Sequence, residues 1–173
     1  YIQNLDNVIQ AFEELPSEYL KKAQLNIVGD GSYLNTLKNM SKEKEYNHTV
    51  FWGKFPREKM NIIFNGSDFL IVSLINKPIF SLTVPSKVQT YIATKKPILA
   101  FINGDTKQLI EDNKLGYHSE PDHMENIKNS FINAINITKN EKKIIEKNAD
   151  LLTKKRFNKS KIIDELLTLL TKK

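Results

Sequence analysis

Apolar positions along this chain switch repeatedly between helical spacing and short continuous runs. Leu5, Val8, Ile9, Phe12 and Leu15 make one stripe across Asn4 to Leu20, the spacing of a helix with one buried face. Pro16 predicts a stop close to Leu15 and a short turn after it. Gln24 to Val28 reads as a strand closed by the turn Gly29-Asp30-Gly31. Ser32 is placed to cap a helix that buries Leu34, Leu37 and Met40. Thr49 to Trp52 is a short strand, Arg57 to Asn65 a helix ended by Gly66 as a left-handed cap, and Asp68 to Ser73 a buried strand. Leu74 to Thr83 reads as a long loop, a feature that in compact domains is often functional.

The next segment, Val84 to Ala100, is the most informative. Pro85 favours the start of a helix, Val88, Tyr91 and Ile92 recur at helical spacing, and Pro97 ends it before the apolar run Ile98 to Ile102. A helix that begins Ser86-Lys87 offers free amides, a hydroxyl and an ammonium at its positive end, which suits an anion such as phosphate. Gly104-Asp105 then turns the chain into a helix over Thr106 to Asp112, a strand over Leu115 to His118, and helices over His123 to Ile137, Glu141 to Thr153 and Asn158 to Leu170. In the last of these, Leu166, Leu167, Leu169 and Leu170 are expected to pack on a core. Strands alternating with helices through the first two thirds of the chain predict an α/β fold: a Rossmann-like parallel sheet sandwiched by helices, followed by an α-helical tail.

Several segments together carry a family resemblance. Pro85-Ser86-Lys87 followed by Lys96-Pro97-Ile98 resembles the donor-site segment of retaining GT-B glycosyltransferases of group-1 type, which build bacterial surface polysaccharides. Ile27 to Gly31 resembles a strand and Gly-Asp-Gly turn of their donor-binding domain. Phe51 to Pro56 resembles its base-binding loop, Ser67 to Val72 the following strand, and Asn113 to Tyr117 a later glycine turn. The order and spacing of these pieces hold over residues 1 to 140.

The resemblance implies one half of a GT-B enzyme. It implies a strand and Gly-rich loop before Tyr1, an N-terminal acceptor domain before those, and a sheet whose edge is incomplete. It implies that Pro85, Ser86 and Lys87 hold the donor diphosphate, that Thr90, Thr83 and Ser81 face the ribose or sugar, and that Gly53, Lys54 and Phe55 read the base. The implied activity is transfer of a sugar from a nucleotide diphosphate sugar to a lipid-linked saccharide, with no cofactor and no metal. Two positions depart from the family pattern. Aligned through Ala93 and Pro97, a glutamate pair common in these enzymes falls on Leu82 and Thr90. A threonine hydroxyl still hydrogen-bonds a ribose; a leucine replaces no carboxylate. Apart from the resemblance, Ser86 reads first as a simple cap and Lys87 as a solvated cation, while Thr90 reads equally as helix surface and Phe55 as core.

Composition narrows the alternatives. The 173 residues suit one domain with a genuine core, and the absence of cysteine excludes disulfides and Cys-based zinc sites and fits a reducing cytoplasm. Of 26 basic residues, only Arg57 and Arg156 are arginine. The net charge of +6 therefore reads as a diffuse lysine surface, compatible with peripheral contact to an anionic inner membrane leaflet, rather than a nucleic-acid interface. His48, His118 and His123 lack metal-ligand spacing. Gly29-Asp30-Gly31 has no third glycine, which argues against a nicotinamide cofactor. Two rivals stay open: a sugar-nucleotide epimerase of the GT-B fold, and a non-catalytic α/β partner-binding module.

Overall fold

The computed structural model describes residues 2–156, 163 and 167–171. The amphipathic N-terminal stripe forms α1 (Leu5–Glu13), and Pro16 starts a separate single turn, α2 (Ser17–Leu20). There follow β1 (Leu25–Val28), α3 (Leu34–Glu43), β2 (Thr49–Gly53), α4 (Met60–Gly66), β3 (Leu70–Ser73), α5 (Pro78–Ser81), α6 (Ser86–Thr94), β4 (Ile98–Phe101), α7 (Asp105–Asp112), β5 (Gly116–Ser119), α8 (Met124–Ile135) and α9 (Lys139–Arg156).

Every pairing among the five strands is parallel, as alternation with helices predicts. The strands form two groups, β1-β2 and β3-β4-β5. Among the described residues the expected single sheet is thus two separate parallel ladders, and a cleft lined by both β1 and β3 lies between them. Both groups run the same way. Ile2, just ahead of α1, accepts from the Ile75 amide beyond the carboxyl end of β3, while Glu13 at the other end of α1 accepts from the Asn47 and His48 amides just before β2. One helix thus spans the sheet from the carboxyl end of one group to the amino end of the other.

Helices cover both faces. On one face α1, α3 and α8 pack on Leu99 and Phe101, with the Phe131 ring 5.2 Å from Phe12 and 5.4 Å from Phe101. On the other, α6, α7 and α9 enclose Val72, Ile98, Ala100 and Ile102. All four residues of β4 are buried, which explains the unbroken apolar run there: a central parallel strand has no solvent face.

Four local expectations change. The helix after β1 starts at Leu34 and makes no side-chain cap bond, so Ser32 is not its cap. Gly66 lies within α4 and does not take a positive φ; Ser67 steps directly into extended backbone and its hydroxyl donates to the Ile63 carbonyl (2.9 Å), satisfying a terminal acceptor without a left-handed turn. The loop after β3 folds a short helix, α5, initiated by Pro78. In the predicted last helix, Leu166 lies outside the described residues. Leu167, Leu169 and Leu170 are exposed rather than packed, because the apolar face that α9 lays on the core ends at Leu152.

Candidate functional site

The sequential order of the strands reverses across that cleft: β1 leads outward to β2, and β3 outward the other way to β4 and β5. In open parallel α/β sheets, ligands bind beyond the carboxyl ends of the strands at such a reversal. The segments that leave those ends are the turn at Gly29–Gly31, the loop at Gly53–Phe55, the segment Leu74–Thr83 and the start of α6.

Pro85 precedes α6 with φ −55° and ψ 140°, and its carbonyl accepts from the Val88 amide at 2.9 Å. The amides of Ser86 and Lys87 are left without an intrahelical acceptor, so they are available to an anion. Val88 and Ile92 are fully buried and hold the helix to β4, which fixes the direction of those amides. Lys87 reaches solvent yet sits in a concave, atom-dense position. Burial lowers its ammonium pKa below the ordinary lysine value, and no carboxylate counters that effect. Its side chain is exposed at the cleft rim, where an anionic ligand can reach it. The Thr90 hydroxyl donates weakly to the Ser86 carbonyl (3.4 Å), which leaves its lone pairs open.

The segment before α6 is anchored from behind. Gly104 has φ 76°, and a Cβ there would collide with the Ser81 carbonyl; the Thr106 hydroxyl donates to the Thr83 carbonyl at 3.2 Å. Ser81 and Thr83 are thereby held by their backbones. The sequence gives Gly104 only as a turn; its close approach to Ser81 depends on a loop path that periodicity does not encode.

Lys87 and Thr90 line one cleft, about 680 Å³ in volume, between β1 and β3. The Gly53–Phe55 loop is not part of its lining. Gly53 takes a positive φ of 72° and its carbonyl accepts from the Gly29 amide (2.8 Å), so the two glycine turns are tied together. Lys54 is exposed, and Phe55 is half-buried and belongs to neither core. Asn26, unremarked in the sequence, accepts from the Trp52 indole at 2.7 Å and fixes an exposed ring beside this loop. Among the described residues, no group of three or more His, Asp or Glu side chains is placed to hold a metal.

The sequence model of the family described as glycosyl transferases group 1 matches residues 1–152. This chain belongs to that family. It is 26% identical over 122 residues to a probable glycosyltransferase, WbjE, of Pseudomonas aeruginosa, covering 69% of this chain and 30% of that protein. Among solved structures it resembles Anabaena HepE in complex with UDP, with a TM-score of 0.80 at 18% identity, over 98% of this chain and 45% of that one. It also resembles WaaG, a glycosyltransferase involved in lipopolysaccharide biosynthesis, with a TM-score of 0.71 at 15% identity, over 89% and 40% of the two chains. The α/β, Rossmann-like GT-B architecture expected of the sequence is the architecture found. The chain spans less than half the length of each of these proteins.

Proposed function

We propose that this chain is the donor-binding part of a glycosyltransferase that uses a nucleotide diphosphate sugar. The observation that carries the reading is the mouth of α6. The two first amides of the helix, free of intrahelical acceptors, and the exposed Lys87 lie together there, at the carboxyl side of the parallel strands and on the cleft between β1 and β3. Transfer leaves negative charge on the departing nucleoside diphosphate. Fixed amides and Lys87 stabilise that charge as it develops, which lowers the barrier rather than merely tightening binding. In this reading the pyrophosphate charge is met by the chain itself, without a metal, and Thr90, Thr83 and Ser81 serve the ribose or sugar.

Membership of group 1, and the likeness to a protein solved with UDP, support a nucleotide donor. The likeness to WaaG supports an acceptor on the route to a surface polysaccharide, presented on a lipid. An acceptor-binding domain would lie elsewhere in a longer protein, and retention at the anomeric carbon would follow the family. The basic surface, net +6, suits peripheral contact with an anionic cytoplasmic leaflet. Among the described residues, no helix is long and apolar enough to cross a membrane.

A thermal-shift panel tests the proposal. UDP or GDP should raise the melting temperature and uridine or guanosine should not, because the diphosphate supplies the gripped group; a ligand at 100 times its Kd adds about 2.7 kcal/mol of stability. Equal response to nucleoside and diphosphate would contradict it, and no response to any nucleotide would favour a partner-binding module.

A further inference from the structure

We infer that the carboxyl-terminal side chains Lys155, Arg156, Ile163, Leu167 and Leu170 dock this chain on a bilayer surface rich in anionic phospholipid. The inference rests on the membrane-facing part of the proposed function and uses nothing of the donor site. The first support is where the charge lies. Seven of the 26 basic side chains and two of the 20 acidic ones fall within residues 154–173, which leaves 19 and 18 on the first 153 positions. Five of the six net positive charges therefore belong to the last 20 positions. The basic surface expected to be diffuse is concentrated at one end of the chain.

The second support is the apolar face that accompanies this charge. Ile163 and residues 167–171 are helical. Ile163, Leu167 and Leu170 recur at i, i+4 and i+7, the spacing of one helical face, and are 43%, 53% and 73% exposed. Leu169 beside them is exposed as well, and none of the four belongs to either core. Just ahead of them α9 ends in Lys154, Lys155 and Arg156, all exposed. Lys154 is tied to Asp150 at 2.6 Å. A helix that turns its apolar face to water next to a basic cluster has the make-up of an element that lies in a membrane interface.

The two observations together select the occupant. Anionic headgroups attract the cations, whose long stems keep the charge at headgroup level while the leucines enter the acyl boundary. A protein partner would cover the leucines, but lysine is depleted from the buried centre of such interfaces. A nucleic acid would meet the charge, but it would leave the apolar stripe in water, and only one of the seven cations is an arginine. An anionic bilayer satisfies both halves of the pattern.

The test is co-sedimentation of the 173-residue protein with lipid vesicles, without nucleotide, so that its failure is distinct from failure of the donor reading. Binding to equimolar phosphatidylcholine and phosphatidylglycerol should exceed binding to phosphatidylcholine alone by about tenfold or more, and should weaken in high salt. Leu167→Ser with Leu170→Ser, and separately Lys155→Glu with Arg156→Glu, should each weaken it about tenfold or more. Lys38→Glu with Lys42→Glu, the same charge change at exposed positions of α3, should leave it within about twofold. All these side chains are exposed, so the melting temperatures should match the parent's. Equal binding to both vesicles, binding to neither, equal loss from the two charge-reversed pairs, or undiminished binding by the leucine variant would each overturn the proposal. So would self-association without lipid that the leucine variant abolishes, since a second copy would then be the occupant.

Discussion

The two halves of the sheet are built to different standards. In the β3-β4-β5 half the central strand is wholly buried, both helical layers close over it, and the core runs from Val88 through Phe101 to Ile110. In the β1-β2 half the strands pair only with each other, Asn26 and Trp52 are exposed, and Leu25 is the one fully buried strand residue. A two-stranded ribbon is marginal without covering elements. Here α1 provides the cover: its apolar stripe meets α8, and Glu13, its carboxylate almost wholly buried, grips the amides that lead into β2. The difference teaches where rigidity lies. The helix proposed to offer amides to a ligand, α6, is fastened to the robust half, and the loop that ends in Phe55 leaves the weaker one.

Core truncation should separate the halves most clearly. Phe101→Ala removes a fully buried ring between two packed layers and should cost about 3–5 kcal/mol. Phe51→Ala in β2, where the ring is only half-buried, should cost about 1–2 kcal/mol. Urea unfolding of both variants checks this; equal losses would contradict the difference between the halves.

A smaller effect should come from pH, and again from the robust half. The His118 imidazole in β5 is largely buried, with Nε2 2.8 Å from the Ile102 carbonyl and Nδ1 3.3 Å from Glu111. Burial lowers its pKa below the ordinary histidine value, against the pull of the Ile102 carbonyl and Glu111, while Lys107 reinforces the lowering. The unfolded chain then binds the proton more readily than the folded one. The stability contributed by neutral His118 is complete above about pH 6.5 and is lost as pH falls through the lower, folded-state value. Melting temperatures across pH 5 to 8 should show this decline, and His118→Gln should flatten it; an unchanged slope would locate the titration in another group.

Much of this architecture is legible in the residues. The α1 stripe, the apolar run at Ile98 and the proline at position 85 each state their element, because spacing and missing amide donors act locally. The Ser32 and Gly66 caps misread because either residue can serve a turn in several ways, and the neighbouring chain path decides which. The candidate site at Ser86 and Lys87 was legible as a pattern of residue types. Its geometry was not: the contact of Gly104 with Ser81, the Asn26–Trp52 bond and the cleft between the two ladders all join residues far apart in sequence. Leu82, onto which the family resemblance places a carboxylate, is 77% exposed, so the structure gives it no buried packing role.

The most direct test of the α6 mouth is calorimetric titration of UDP and GDP into the wild-type protein and Lys87→Ala. Losing one point charge on the diphosphate should weaken binding of the preferred nucleotide about tenfold or more, while the melting temperature without ligand stays nearly unchanged, since among the described residues the exposed Lys87 head group makes no ion pair. Undiminished affinity in the variant would contradict the account.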